Sequence, residues 1–136
     1  MLKAQNYYNY EIPQYSNPAL DKLSIFLWNN KRLEVLEMRN CHMDDQCAEA
    51  IAEGLSRNST LKVLDLSNNR IGPEPMKRWQ EIIGKCSLKS LDISNNPLYD
   101  EGARCIFKGL QEGTYISEKM VRQDPSLAPA NRRLTP

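Results

Sequence analysis

A leucine-centred motif occurs three times along the chain and dominates its pattern of apolar and polar positions. Its first residue is Leu33, Leu61 or Leu88, so successive copies begin 28 and 27 residues apart. Apolar residues follow at the fourth, sixth and eleventh positions. A fixed period of this length indicates one structural unit, repeated along the chain, whose strand is followed by a turn. The fourth residues should share one interior; they are Leu36, Leu64 and Leu91.

The ninth position of each copy is expected to lie in a turn beside buried backbone. It is Cys41 in the first copy, Asn69 in the second and Asn96 in the third. Buried backbone groups require partners, and an asparagine amide offers two donors and an acceptor to neighbouring turns. The thiol in the first copy is a weaker donor in the same place.

The second halves of the first and third copies have the i, i+3, i+4, i+7 apolar spacing of a helix. Asp45 and Asp100 are predicted as the N-caps of the first and third helices. In the middle copy, Pro73 and Pro75 suit the first helical turn, where a backbone N–H has no partner within the helix. The predicted inward faces are Ala48, Ile51, Ala52 and Leu55; Met76, Trp79 and Ile83; and Ala103, Ile106, Phe107 and Leu110.

An additional helix is predicted before the first strand, starting at Asn17-Pro18. Its inward residues would be Leu20, Leu23 and Leu27. Trp28 falls outside that register, so we interpret it as a cap residue or an exposed anchor. Trp79, in contrast, is expected in the core.

Tyrosines precede this helix in the register of a degenerate copy. Tyr8, Tyr10 and Tyr15 fall on its fourth, sixth and eleventh positions. These positions predict a degenerate N-terminal strand that caps the repeat domain. Gln5 and Pro13 interrupt the pattern, however, and a disordered aromatic tail is the alternative, because chain ends commonly fray.

The repeat pattern fades after Leu110. One closing strand could be formed by Tyr115, Ile116, Met120 and Val121. From Asp124 onward the chain is polar and interrupted by prolines, which is typical of an extended tail. The predicted organisation is a tyrosine-rich tail or degenerate cap at 1–16, a repeat domain at 17–112 and a C-terminal extended tail at 113–136.

These motifs resemble the ribonuclease-inhibitor-like class of leucine-rich repeats. The resemblance rests on residues 64–72, which read LDLSNNRIG, and 100–103, which read DEGA. It implies an α/β solenoid with a short concave parallel β-sheet and convex helices, built from three full repeats plus a partial N-terminal repeat. The class includes enzyme inhibitors, GTPase-activating proteins, actin-filament caps, innate sensors and components of cilia, so the resemblance is specific for the fold and not for the partner.

Composition and charge exclude several other functions. The 18 basic and 17 acidic residues nearly balance, so no overall field attracts nucleic acid or anionic membranes. No apolar run is long enough to span a membrane. The N-terminus fits neither a secretory nor a mitochondrial leader. We therefore expect an intracellular protein of the cytoplasm, with a ciliary or organellar assembly as the alternative, and no membrane insertion.

Neither a metal site nor a catalytic site is expected. The cysteines Cys41, Cys47, Cys86 and Cys105 form no C-x-x-C pair, and His42 is the single histidine. Reduced, buried thiols are the simplest interpretation, while two disulfides would require a secreted protein. Asn58 begins a glycosylation sequon that should stay unmodified in a reducing compartment. No nucleophile with a base and an orienting acid is evident, so we expect no enzyme activity, cofactor or small-molecule substrate.

Side chains between the inward leucines should face solvent on the concave sheet, because residues alternate along a strand. They form three columns: Val35, Val63 and Ser90; Glu37, Asp65 and Asp92; Arg39, Ser67 and Ser94. The central column carries one acid per repeat and could bind a basic protein. The alternative is a solvated face, since an acid at this position is common in the repeat consensus.

The tails are the competing interaction site. Four tyrosines and three arginines are candidates there: Tyr7, Tyr8, Tyr10, Tyr15, Arg122, Arg132 and Arg133. Aromatic residues are favoured in interface cores, and arginines could reach phosphates or acidic protein. Two functions follow. In one, the chain is a structural subunit of a multi-subunit complex held through its tails and end faces; in the other, it is a free adaptor or regulator that binds a protein on the acidic column.

Overall fold

The computed structural model describes residues 18–112 and 120–122 of the 136-residue chain. Strands and helices alternate in it. The helices are α1 (Pro18–Asn29), α2 (Asp45–Leu55), α3 (Met76–Ile82) and α4 (Tyr99–Glu112). The strands are β1 (Val35–Glu37), β2 (Val63–Asp65), β3 (Ser90–Asp92) and β4 (Met120–Arg122). The predicted α/β architecture is therefore present.

The four strands form one parallel sheet in sequence order, β1-β2-β3-β4. Leu36, Leu64 and Leu91 are directly paired across β1, β2 and β3. Leu64 and Leu91 are buried in the hydrophobic core, and Leu36 packs against it half-buried. The prediction of one shared interior is confirmed.

The helix α1 begins at Pro18, as predicted, while Asn17 lies outside the described residues. Leu20 and Leu27 are buried, and Leu23 packs half-buried against the core. Trp28 is half-buried, and the guanidinium carbon of Arg57 lies 4.4 Å from its ring centroid. Trp28 is therefore partly covered by a cation–π contact from the next segment.

The cap of α2 differs from the prediction by one residue. Asp44, not Asp45, is the N-cap, and its Oδ1 accepts a hydrogen bond from the N–H of Cys47 at 3.1 Å. Asp45 is the first helical residue, and its Oδ1 accepts from the Gly72 N–H at 2.6 Å. Asp44 therefore accepts a hydrogen bond from the first turn of α2, and Asp45 connects α2 to the turn that contains Gly72.

Two further helix starts also differ from expectation. Pro73 and Pro75 precede α3, which begins at Met76; the Met76 N–H donates to the Pro73 carbonyl in a tight entry turn. Asp100 is not a cap, because α4 already begins at Tyr99 and Asp100 lies in its first turn. The predicted inward residues of α3 are confirmed, since Met76, Trp79 and Ile83 are buried.

Neighbouring helices approach closely at two glycines. A Cβ atom on Gly54 would lie 2.7 Å from the Leu27 Cβ of α1, and one on Gly109 would lie 2.5 Å from the Gln80 carbonyl oxygen of α3. Between α2 and α3 the large indole of Trp79 is buried instead, and its Nε1 donates to the Ala48 carbonyl at 3.0 Å. The helix layer is thus joined by backbone contact at its ends and by an aromatic ring in the middle.

The sheet continues past residue 112. Within the range 113–136, expected as an extended tail, β4 pairs in parallel with β3, joining Leu91 to Val121 and Asp92 to Arg122. The closing strand considered for Met120 and Val121 is present and includes Arg122. Tyr115 and Ile116 lie outside the described residues.

Candidate interaction surface

The outer face of the sheet, opposite the leucine core, carries the side chains between the inward residues. Strand pairing aligns them as the sequence predicts, with Val35 beside Val63 and Ser90, and Glu37 beside Asp65 and Asp92. We call these six residues the outer face. Val35 is the most apolar exposed point on it, with 52 % of its surface accessible. The prediction that the columns face solvent is wrong for Asp65 and Ser67, which are buried and bonded to each other where β2 ends.

Two of the three acids on the outer face are used within their own turns. Asp65 Oδ1 accepts from the backbone N–H of Ser67 at 2.9 Å and from its hydroxyl at 2.7 Å. Asp92 accepts in the same way from Ser94, at 3.1 Å and 2.6 Å. One oxygen of each carboxylate therefore fixes the chain where the strand ends, a local role typical of aspartate in turns.

Arg39 lies between Glu37, the third acid, and Asp65. Its guanidinium lies 3.0 Å from Glu37 Oε2 and 3.4 Å from Asp65 Oδ2. The side chains of Glu37 and Arg39 are more than half exposed, so water screens the pair and its contribution to stability is small. The main consequence is for the charge of the surface: Arg39, from the third predicted column, partly neutralises Glu37 and Asp65 of the central column.

The turns below the outer face are held by an asparagine ladder. Asn69 Nδ2 donates to the carbonyls of Leu66 and Ser67 in its own turn and of Met38 in the preceding one. Its Oδ1 accepts from the N–H groups of Cys41 and Met43. Asn96 likewise donates to its own turn and to the preceding one, and accepts from the Ile71 N–H. The predicted bridging role of the ninth position is confirmed for Asn69 and Asn96.

The cysteines are less buried than expected. None of the four forms a disulfide in the described part of the chain, but Cys41 is exposed, while Cys47, Cys86 and Cys105 are half-buried. The Cys41 thiol donates to the Arg39 carbonyl of its own turn, so it does not reach a neighbouring turn as the asparagines do. Burial raises the pKa of the Cys47 thiol, which makes it a weak nucleophile.

Asn58 of the sequon is a structural residue. Its side chain is buried, and Nδ2 donates to the carbonyls of Leu27 at 2.6 Å and Asn30 at 3.1 Å. Its Oδ1 accepts from the N–H groups of Thr60 and Leu61. Because the nitrogen that would carry a glycan is enclosed by these contacts, the folded chain has no room for one.

A shallow groove lies on the helix side, between α2 and α3, lined partly by Glu49, Lys77 and Arg78. Arg78 bonds Glu53 at 2.9 Å and Glu81 at 3.3 Å. Burial acts to lower the pKa of Arg78, but the two carboxylates outweigh it and raise that pKa. Arg78 is thus already paired with two carboxylates.

Most of the predicted tail residues lie outside the described residues. These are Tyr7, Tyr8, Tyr10, Tyr15, Arg132 and Arg133. Arg122 is described as the last residue of β4, at the register of Asp92. The central column therefore continues into an arginine position on the fourth strand, which sequence reasoning assigned to the tail.

The comparisons with known proteins identify the class of motif. The family model of the leucine-rich repeat matches residues 57–75 and 84–107, which together include β2, β3 and both asparagine turns. A search of curated proteins found no match to the chain. Leucine-rich-repeat domains commonly mediate protein–protein interaction and are generally non-catalytic.

Within residues 18–112 and 120–122, no group of three histidine, cysteine, aspartate or glutamate side chains could hold a metal ion. No helix in the same part of the chain is long and apolar enough to cross a bilayer.

Proposed function

We propose that the chain is a leucine-rich-repeat solenoid of the ribonuclease-inhibitor-like subtype, with three full repeats and a partial N-terminal one. The 28- and 27-residue periods and the parallel register of β1, β2 and β3 support this architecture. The length of α2 and α4, 11 and 14 residues, supports the subtype with full helices on the convex side. The outer face is then the concave surface.

The function that these features support best is a non-catalytic structural subunit of a larger protein assembly, held through its tails and end faces. The small size of the concave sheet carries this proposal. Four strands about 4.8 Å apart and three residues long, at about 3.3 Å per residue, cover only about 200 Å². A stable interface buries about 800 Å² per partner. A partner must therefore contact other parts of the molecule.

The state of the acidic column agrees with this proposal. Asp65 and Asp92 each use one oxygen to hold a turn, and Arg39 offsets Glu37 and Asp65. The column consequently offers less free negative charge to a basic ligand than three unpaired acids would. This leaves the tails as the main proposed contacts: Tyr7, Tyr8, Tyr10, Tyr15, Arg122, Arg132 and Arg133.

The alternative is a free adaptor or regulator that binds a basic protein on the concave columns. The exposed side chain of Val35 favours it. The same sheet residues would be its contacts: Val35, Glu37, Arg39, Val63, Asp65, Ser67, Ser90, Asp92 and Ser94. The exposed free thiol of Cys41 supports a reducing, intracellular compartment for either function.

The two functions can be separated by sedimentation of the tagged full chain in native extract. For an assembly subunit, we expect the 15.7 kDa chain to sediment with a much larger complex. Removing residues 123–136 should return it to the position of a monomer. The triple variant Glu37→Gln, Asp65→Asn, Asp92→Asn should stay with the complex, and quantitative mass spectrometry should recover the same proteins.

The triple variant is the matched control because it removes the three charges, while the amides at positions 65 and 92 keep an oxygen that accepts the turn hydrogen bonds. Circular dichroism should show that both variants remain folded. If the triple variant loses its partners while the shortened chain keeps them, the adaptor function is correct. A wild-type chain that sediments alone in native extract would contradict the assembly.

A further inference from the structure

The N-terminal end of the core is more exposed than the same positions further along the chain. Leu33, Leu36 and Met38 are half-buried around β1. Their counterparts in the next segment have no accessible surface; these are Leu61, Leu64 and Leu66. In α1, the helix that precedes β1, Phe26 is 48 % exposed. One layer of apolar cover is therefore absent from the described part of this end.

The backbone of β1 is also open on that side. In β2, the Val63 N–H donates to the Glu34 carbonyl and the Asp65 carbonyl accepts from Met38, so both residues pair back towards β1. The corresponding residues of β1 are Val35 and Glu37, and β1 is the edge of the described sheet. Along a strand, the backbone N–H and C=O groups of successive residues point to opposite sides of the strand. Those of Val35 and Glu37 therefore face away from β2.

We propose that Tyr7–Asn9 of this same chain occupies that edge as a fifth parallel strand and covers the apolar end. The length of the preceding chain fits this occupant. Strand and helix are connected by seven residues (38–44) from β1, ten (66–75) from β2 and six (93–98) from β3. Eight residues (10–17) separate Asn9 from α1, within that range.

The register of the segment matches the surface that it would cover. Twenty-eight residues before Leu36 stands Tyr8, and the same offset brings Tyr10 to Met38. These inward positions would place two aromatic rings over the half-buried side chains. Tyr7 falls beside Val35 on the outer face, where an aromatic and a β-branched residue form a favourable cross-strand pair.

Two departures from the repeat pattern also match each other. In the second turn, Asn69 Oδ1 accepts the Cys41 N–H of the turn before it. The ninth residue of the first turn is Cys41 itself, whose thiol is a poor acceptor. The ninth position one period earlier is Pro13, which has no N–H to satisfy. The turn that contains Pro13 would stack on the turn that contains Cys41. Because proline has no N–H, the lack of a good acceptor at Cys41 leaves no donor unsatisfied there.

This inference rests on the proposed solenoid and narrows its assembly role. When the N-terminal segment covers its own end face, Tyr8 and Tyr10 are no longer available as the assembly contacts proposed above. The C-terminal end and its arginines then remain to hold the assembly. Tyr7 would then add an aromatic side chain to the concave face. The closure can be tested on the isolated full chain, whereas the assembly is tested only in native extract.

The test is amide hydrogen exchange of the wild-type chain, measured by NMR at several concentrations. Docking predicts that Val35 and Glu37 exchange as slowly as Val63 and Asp65, independently of concentration. Fast exchange at Val35 and Glu37 would overturn the proposal. Protection that grows with concentration would also overturn it, because a second copy would then supply the strand.

Two matched variants identify the segment responsible. Tyr8→Ser removes an inward ring, and we expect exchange at Val35 and Glu37 to accelerate about tenfold or more, with a melting temperature lower by about 5 °C. Tyr7→Ser makes the same chemical change on the outer face and should have a smaller effect on both. Equal protection in wild type and Tyr8→Ser would show that another segment or partner covers the edge, and the proposal would fail.

Discussion

Asn69 shows how a single side chain can join two turns. Its amide makes five hydrogen bonds with backbone groups, of which three belong to the segment before it. A backbone group buried without a partner costs about 1–3 kcal/mol, so an amide that satisfies several of them is difficult to replace. The requirement explains why asparagine recurs at this position.

The first prediction follows from this ladder. Asn69→Ala should lower the free energy of unfolding by about 3 kcal/mol, because buried carbonyl and N–H groups in two turns lose their partner. Chemical denaturation followed by circular dichroism measures the change.

The matched control is Asn68→Gly at the neighbouring position. Asn68 is exposed and has a φ of 58°, a left-handed conformation that glycine adopts without strain. We expect its stability to stay close to that of the wild type. Equal losses in the two variants would mean that the ladder is not what stabilises the turns.

At the same scale, the sequence predicts residue types better than residue roles. The ninth-position asparagines bridge adjacent turns as expected, because their spacing is fixed by the repeat. The cap of α2 was assigned one residue too late, since Asp44 and Asp45 are chemically equivalent in sequence. Only the position of Gly72 across the fold shows which carboxylate is used for which contact.

Among the elements, α3 and α4 owe their close approach to one glycine. At Gly109 a Cβ atom would lie 2.5 Å from the Gln80 carbonyl oxygen and 2.6 Å from the Ile83 Cγ2 atom. The carbonyl oxygen cannot move without displacing the backbone of α3, and the methyl group belongs to the buried side chain of Ile83. Gly54 has the equivalent place between α1 and α2.

The second prediction concerns this contact. Gly109→Ala should destabilise the protein by about 2 kcal/mol, because overpacking between helices outweighs the roughly 1 kcal/mol that alanine adds in helix propensity. The midpoint of urea denaturation measures the difference.

Lys108→Ala provides the comparison for that variant. Lys108 is the exposed neighbour on α4, and its change to alanine alters helix propensity without touching α3. Its midpoint should remain near that of the wild type. A Gly109→Ala variant more stable than wild type would show that the helices have room to separate.

The elements themselves were largely predictable. Three strands and four helices follow from the apolar periods, because burial of one face fixes the register of each element. The start of α3 was placed too early, since Pro73 and Pro75 enter it through a tight turn. The fourth strand was only one option in a range assigned to a tail, because Met120–Arg122 lacks the leucine and asparagine positions that mark the other three.

At the scale of the whole molecule, every segment completes its core through its neighbours. Leu91 of β3 is almost fully buried, whereas Leu36 at the first edge is only half-buried. Leu91 is the more buried of the two because β3 is covered on its C-terminal side by β4, whereas β1 is the edge of the described sheet. Stability in such arrays comes from the interfaces between units as much as from each unit.

The third prediction tests the closing strand. A chain ended after Glu112 loses β4, and we expect its melting temperature to fall by roughly 5–10 °C, with increased self-association through the exposed edge. Differential scanning calorimetry and light scattering measure the two effects.

A chain ended after Arg122 is the appropriate control, because it keeps β4 and removes only residues 123–136. Its melting temperature should equal that of the full chain. If the chain ended after Glu112 were equally stable, β4 would not contribute to the fold.

The outer face was the least predictable feature at this scale. Sequence spacing correctly aligned Glu37, Asp65 and Asp92, but it did not show that two of these acids hold serines or that Arg39 neutralises part of the column. These contacts depend on side-chain geometry between adjacent strands, which the order of residues does not specify.

The asparagine ladder also implies an order in which the turns become stable as the chain is synthesised. Each rung reaches back to the turn made before it, so the Cys41 and Met43 amides have no partner until Asn69 has been synthesised. During translation, the hydrogen bonds that stabilise a turn can form only after roughly one more period of chain has left the ribosome. Folding from the N-terminus should therefore proceed in steps, with each new segment securing the one already made.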